Sequence, residues 1–206
     1  MSIEFVYFDL GNVLVKFSHQ VMLEQIGELV QRDPEQVRQA IFEGPLLKQY
    51  ETGQLTTTEF LESFCEQLQL RPANEADFAK AASNIFELNV EIVPLVVQLD
   101  RAGYGLGILS NTCDAHWDWV EKTYPSLIDL FPLKILSFKA GAVKPDAEIF
   151  QTAVSQTGLD RNSIVFTDDL AENVDGASSF GLQAVKFKSV RQLARDLREI
   201  GLRINY

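Results

Sequence analysis

Cysteine, histidine, methionine and tryptophan each occur only twice in the chain. Cys65 and Cys113 stand far apart, too few to frame a disulfide-stapled domain. They predict a reducing compartment and two packed thiols. Positive charge is also scarce: 18 Lys and Arg against 29 Asp and Glu give a formal net charge of −11. Such a balance opposes loose binding to nucleic acid or to an anionic membrane surface, both polyanions. It also means that a phosphate-bearing substrate needs a local positive feature. No apolar run approaches the ~20 residues of a membrane helix. Glu4, and no basic region before the first apolar run, predict no secretory leader. The expected location is the cytoplasm. Internal repeats and low-complexity tracts are absent too, and nothing fixes the oligomeric state.

What is present is 206 residues, 46% of them hydrophobic, enough for a substantial core in one domain or one domain with an insert. The pattern changes along the chain. Residues 3–9 (IEFVYFD) read as a buried strand. From Ser18 to Asn89 the pattern is helical throughout, with four helical segments: VMLEQIGELVQ, PEQVRQAIFEG, TTTEFLESFCEQLQL and EADFAKAASNIFE. Thr56 with Glu59 three places on reads as a capping box. GPLLKQYETGQL between the second and third segments reads as a loop. After Val90, short apolar strands (GLGILSN, LKILSF, SIVFTDD, LQAVKF) alternate strictly with helices. That alternation implies a doubly wound parallel α/β sheet. The expected division is a core of 1–17 and 90–206 with a four-helix cap inserted over 18–89.

In such sheets ligands bind beyond the carboxyl ends of the strands. Asp9 ends the first strand, Ser110 and Asn111 end another, Asp168 and Asp169 a third, and Lys144 precedes Pro145-Asp146 at a helix entrance. Converging carboxylates raise each other's pKa unless a cation lies among them. All-oxygen ligation suits Mg²⁺, which takes a few carboxylates plus water and substrate phosphate. Ser110 and Lys144 can hold phosphoryl oxygens. One carboxylate then remains to attack phosphorus, and Asp9 is the candidate.

Taken in order, FDLGNVL, LSNT, VKPDAEIF and FTDDLAENVDGA resemble the four motifs of the haloacid dehalogenase superfamily, over nearly the whole chain. Within it the chain is most similar to the small phosphatases acting on glucose 1-phosphate and to the phosphatase half of soluble epoxide hydrolase. The resemblance implies a Rossmann-like core with a helical cap, Mg²⁺ as cofactor and a small phosphorylated metabolite as substrate. It implies Asp9 as nucleophile and metal ligand, and Gly11 as a metal ligand through its carbonyl. Ser110 and Asn111 would hold the phosphoryl group, and Lys144 would neutralise it. Asp169 would bind the metal directly and Asp168 a metal-bound water.

One position departs from the pattern. Most phosphatases of this superfamily carry a second Asp two residues after the nucleophile, which protonates the leaving alcohol and later activates water. Here that residue is Gly11, followed by Asn12-Val13 in place of the usual Gly-Thr. Such acid–base help contributes about 10²–10⁴-fold. Three readings follow: a phosphatase served by good leaving groups or by another proton donor, a protein that binds a phosphorylated ligand without turnover, and a 2-haloacid dehalogenase. The last has little use for Asp168-Asp169. A response-regulator receiver would carry its acidic pair after the first strand and no helical insert. His19, on the route into the cap, is the first candidate for the missing acid, with His116 and Trp117 behind it. Gly44, Lys48, Tyr50 and Glu51, in the cap loop, are candidates to face the substrate.

Overall fold

The computed structural model describes residues 2–205. Strand β1 (Phe5–Phe8) enters the sheet and runs through Asp9 to a short strand β2 (Val15–Lys16). Five helices follow: α1 (His19–Val30), α2 (Pro34–Phe42), α3 (Leu46–Glu51), α4 (Thr57–Gln67) and α5 (Glu75–Ser83). Strand β3 (Glu87–Leu88) closes the insert. Then come α6 (Val93–Arg101), β4 (Gly105–Ser110), α7 (Asp114–Thr123), α8 (Pro125–Ile128), β5 (Leu133–Leu136), α9 (Ser137–Ala140) and α10 (Ala147–Thr157). The chain ends with β6 (Ile164–Asp168), α11 (Ala171–Phe180), β7 (Gln183–Lys186) and α12 (Val190–Glu199).

Five strands form one parallel sheet in the order β5-β4-β1-β6-β7. The doubly wound architecture expected from the alternation is what the chain adopts. All four residues of β1 are buried, because helices cover both faces of the sheet. The two-residue side-chain period sends Val6 and Phe8 to one face, against Leu95, Leu99, Val120 and Leu193. It sends Phe5 and Tyr7 to the other, against Ile149, Phe150 and Ala177. Buried Tyr7 donates its hydroxyl to the Ala153 carbonyl at 2.9 Å, so no polar atom is stranded there.

The inserted helices collect on an apolar cluster of their own, built around Ile26, Val37, Ile41, Phe60, Phe64 and Phe78. Two expectations for this segment are corrected. The stretch read as a loop contains α3, so the insert holds five helices, not four. Six residues bounded by Gly44-Pro45 and Gly53 are too short to display a 3.6-residue period. The last helix does not run to Glu87: Asn84 leaves helical geometry, and Glu87–Leu88 pairs antiparallel with Val15–Lys16. A two-residue strand carries no period of its own, and its residues continued the helical spacing. The Thr56–Glu59 capping box is present: the Thr56 hydroxyl accepts from the Glu59 N–H, and the Glu59 carboxylate accepts from the Thr56 N–H. Among the described residues no helix is long and apolar enough to cross a membrane.

Candidate active site

The strand order reverses direction at β1, whose neighbours are β4 on one side and β6 on the other. The carboxyl ends of these three strands therefore open a crevice at one point, where a ligand fits. Asp9, one residue past β1, stays tied to the sheet because its N–H donates to the Thr167 carbonyl at 2.9 Å. Ser110 is the last residue of β4 and Asp168 the last of β6, and both are buried.

Lys144 joins the three strands. Its ammonium donates to Asp9 Oδ1 at 2.7 Å, to Asp168 Oδ2 at 2.7 Å and to the Leu109 carbonyl at 2.9 Å. All three of its protons are thus used inside the protein. Burial alone would lower the Lys144 pKa, but the two carboxylates outweigh it and hold it above its ordinary value. Burial pushes Asp9 up to about 6; Lys144 pulls it down and Asp168 pushes it up again. Burial also raises Asp169, against a hydrogen bond from Asn12 Nδ2 at 3.2 Å.

Asp9, Asp168 and Asp169 each offer an oxygen such that all three lie within 4.8 Å of one another. One lysine faces three carboxylates, so the centre is negative without a cation. A divalent hard cation fits this oxygen donor set. The Asp168 oxygens are already engaged: Oδ1 accepts from the Leu170 N–H at 2.8 Å, and Oδ2 from Lys144 and from Asn173 Nδ2 at 3.0 Å. Asp169 is the more open of the pair, about half-buried.

Asn111 contributes in another way. Its Oδ1 accepts from the Lys144 N–H at 2.7 Å and its Nδ2 donates to the Lys144 carbonyl at 2.9 Å. The side chain therefore fixes the backbone from which Lys144 reaches inward. Asn173 and the Leu109 carbonyl were not singled out by sequence reasoning. Asn173 lies in the AENVDGA stretch, five residues after Asp168, which on α11 turns it back toward that carboxylate. A backbone carbonyl has no signal in a sequence.

A cavity opens above the crevice, between the cap helices and the core. Leu10, Gly11, Ser110 and Asn111 form its floor, and Phe17, Met22, Ile41, Phe42, Phe60 and Phe86 line much of its wall. His19, Tyr50, Glu51 and His116 also line it. Of the remaining candidates, Gly44 and Lys48 are exposed and Trp117 is buried in the sheet's own core, so none of the three lines this cavity. Gly11 meets a physical constraint here. A Cβ at Gly11 would stand 2.8 Å from the Phe17 ring, well inside contact distance. The space where a second carboxylate would begin is filled by an aromatic side chain.

A doubly wound parallel sheet with a carboxylate cluster at its switch point and helices folded over it defines a capped, Rossmann-like protein with a divalent-cation centre. The family profile of the haloacid dehalogenase-like hydrolases matches residues 3–181, and the chain belongs to that family. It is similar to the phosphatase MT3486 of Mycobacterium tuberculosis (strain CDC 1551 / Oshkosh), 24% identical over 209 residues that cover 98% of this chain and 96% of that protein. Pyrimidine 5'-nucleotidase YjjG of Escherichia coli (strain K12) is 28% identical over 184 residues, 84% of this chain and 80% of its own. Among solved structures, the HAD family enzyme bt-2542 of Bacteroides thetaiotaomicron, in complex with magnesium and inorganic phosphate, superimposes with a TM-score of 0.79. It is 26% identical, covering 91% of this chain and 95% of that one.

Proposed function

We propose that the protein is a magnesium-dependent phosphatase that hydrolyses a small phosphate monoester through an aspartyl-phosphate on Asp9. The observation that carries this reading is the two buried ion pairs of Lys144, with Asp9 and with Asp168, set beside Asp169 at the switch point of the sheet. Asp9, Asp169 and the Gly11 carbonyl would hold the cation, with Asp168, whose oxygens are engaged, reaching it through water. When bound, Mg²⁺ offsets the negative charge of the centre and of the incoming phosphate.

The residues of the chain do the rest. Lys144 holds Asp9 ionised and aimed. An Asp9 carboxylate oxygen attacks phosphorus, the phosphorus–oxygen bond to the leaving group breaks, and the leaving oxygen takes up a proton. Water then attacks phosphorus, giving inorganic phosphate and restoring the Asp9 carboxylate. Ser110 donates to the transferring group, and Asn111 serves it through the Lys144 backbone. Residues 18–89 act as a lid that excludes water from this sequence.

The substrate expected from the motifs is a sugar phosphate such as glucose 1-phosphate, whose anomeric oxygen leaves readily. The cavity favours a second reading: its walls are largely aromatic and aliphatic, which suits an ester with an apolar leaving group. Phosphate release from glucose 1-phosphate, glucose 6-phosphate, acetyl phosphate and phenyl phosphate, with and without Mg²⁺, decides between them. The sugar reading predicts that glucose 1-phosphate ranks first, and the cavity predicts phenyl phosphate. No release from any ester would overturn the phosphatase and leave phosphorylated-ligand binding. Chloride release from chloroacetate would point to a dehalogenase, which has little need for Asp168-Asp169.

A further inference from the structure

If Asp9 transfers a phosphoryl group, something must protonate the leaving oxygen, and Gly11 cannot. Besides Tyr50 and the Cys113 thiol, which burial keeps protonated, three titratable side chains line the cavity: His19, Glu51 and His116. His116 Nε2 lies 3.2 Å from the Ala82 carbonyl, and burial pushes its pKa down to about 4. It is neutral at pH 7 and its ring is committed to the cap backbone. His19 packs between the Phe17 and Phe42 rings, at centroid distances of 4.9 and 5.2 Å, and desolvation there lowers its pKa. A neutral imidazole has no acidic proton to give at the required pKa, which weakens His19 as the replacement acid.

Glu51 differs. It is the last residue of α3, it lines the cavity together with Gly11, Ser110 and Asn111, and it feels the Lys144 charge. Among the described residues its carboxyl group makes no hydrogen bond and no ion pair. Its position is nevertheless fixed on both sides. Before it, the Tyr50 hydroxyl donates to Asp114 Oδ1 at 2.6 Å, tying α3 to α7 of the core. After it, Thr52 is buried and donates to the Lys48 carbonyl at 2.7 Å. Gly53 then passes so close to α9 that a Cβ would lie 2.1 Å from the Phe138 carbonyl oxygen. With a φ of +69°, that position takes glycine. A carboxyl group on a clamped element, lining the cavity whose floor carries Gly11, Ser110 and Asn111, and paired with nothing, is poised for a ligand.

We infer that Glu51, reaching down from the cap, is the general acid–base that replaces the carboxyl group missing at position 11. It gives its proton to the leaving oxygen as the phosphorus–oxygen bond breaks. The resulting carboxylate then takes a proton from the water that attacks the aspartyl-phosphate, which returns Glu51 to its starting form. The inference rests on the phosphatase reading above. Burial pushes the Glu51 carboxyl up to about 7, with Lys144 opposing, so both protonation states are accessible near neutrality. The titratable groups that share its cavity or act on it are Lys144, Cys113, His116 from α7, His19 from α1 and Tyr50 from its own helix. Lys139 of α9 is exposed and lies over the Phe138 ring.

The test compares Glu51→Gln and Glu51→Asp with the wild type on p-nitrophenyl phosphate and on a simple alkyl phosphate, with melting curves to show that each variant is folded. For Glu51→Gln the expected loss on the alkyl phosphate is about 10²-fold or more. On p-nitrophenyl phosphate, whose leaving group needs no proton, the first turnover stays fast and the second slows. One equivalent of nitrophenol then appears as a burst, and intact-mass measurement finds the chain phosphorylated. Glu51→Asp recovers part of the alkyl phosphate rate. An equal loss on both esters without a burst, or no loss on either, overturns the acid–base role. If the wild type releases no phosphate, or Asp9→Asn retains full activity, the phosphatase reading itself falls, and the inference with it.

Discussion

Gly11 and Phe17 act as a pair. Position 11 has no side chain, and the Phe17 ring lies where one would start. Restoring the usual carboxylate by Gly11→Asp should therefore not restore an acid. It should force Phe17 aside at a cost of about 1–3 kcal/mol, as overpacking does. Thermal unfolding checks this: Gly11→Asp melts lower than wild type, and adding Phe17→Ala to make room recovers part of the loss. Glu51 gives a second prediction at this scale. Its folded pKa of about 7 exceeds the ordinary value of 4.5, so between those pH values the folded protein holds a proton that the unfolded chain has lost. Stability from this group is present at low pH and is lost as pH rises through that window. Glu51→Gln, which cannot ionise, is expected to match the wild type near pH 4 and to be more stable at pH 8. Denaturant unfolding at both pH values reads the difference. Most site carboxylates and the lysine were legible from the sequence, because each ends a strand or opens a helix. Asn173 and the Leu109 carbonyl were not, since their roles exist only once β6, α11 and β4 are assembled.

Elements show where reading from sequence holds and where it fails. The sheet strands were legible as short apolar runs alternating with helices, and the long helices because each repeats its 3.6-residue period. The Thr56 capping box was legible because it is a local pair of side chain and backbone. Helix α3 and the β2–β3 ribbon were not, since elements of six and two residues repeat their period fewer than two times. Yet α3 is the element that brings Tyr50 and Glu51 to the cavity. Its attachment to the core is concentrated at Asp114, whose Oδ1 accepts from Tyr50, from Thr57 Oγ1 at 2.7 Å and from the Ala115 N–H at 2.7 Å. Tyr50→Phe deletes one of these donors inside a partly buried cluster. The expected cost is about 1–2 kcal/mol, and hydrogen exchange should speed up in α3 and α4 while β1 stays protected.

Over the whole molecule, an acidic chain with a formal net charge of −11 concentrates three of its carboxylates around one buried lysine. The Lys144 protons are all used within the site, so a substrate phosphate meets no free positive charge there. The magnesium reading makes this concrete. Adding Mg²⁺ is expected to raise the melting temperature in a concentration-dependent way, by about 2.7 kcal/mol of stability at a hundred times Kd. Asp169→Asn should reduce that shift, whereas equal concentrations of Na⁺ should produce none in either protein. The family and the parallel architecture were legible at this scale because four short motifs fall in order at four strand ends or helix entrances. The aromatic walls of the cavity were not, since Phe42, Phe60 and Phe86 read equally well as cap core until the cap is folded over the sheet.

The most direct measurement is the identity of the residue that carries phosphate during turnover. The protein would be mixed with Mg²⁺ and an active ester, quenched in acid within the first turnover, digested and mapped by mass spectrometry. The account predicts a phosphorylated peptide containing Asp9, absent without Mg²⁺ and absent in Asp9→Asn. Sustained phosphate release with no adduct on Asp9, undiminished in Asp9→Asn, would contradict it.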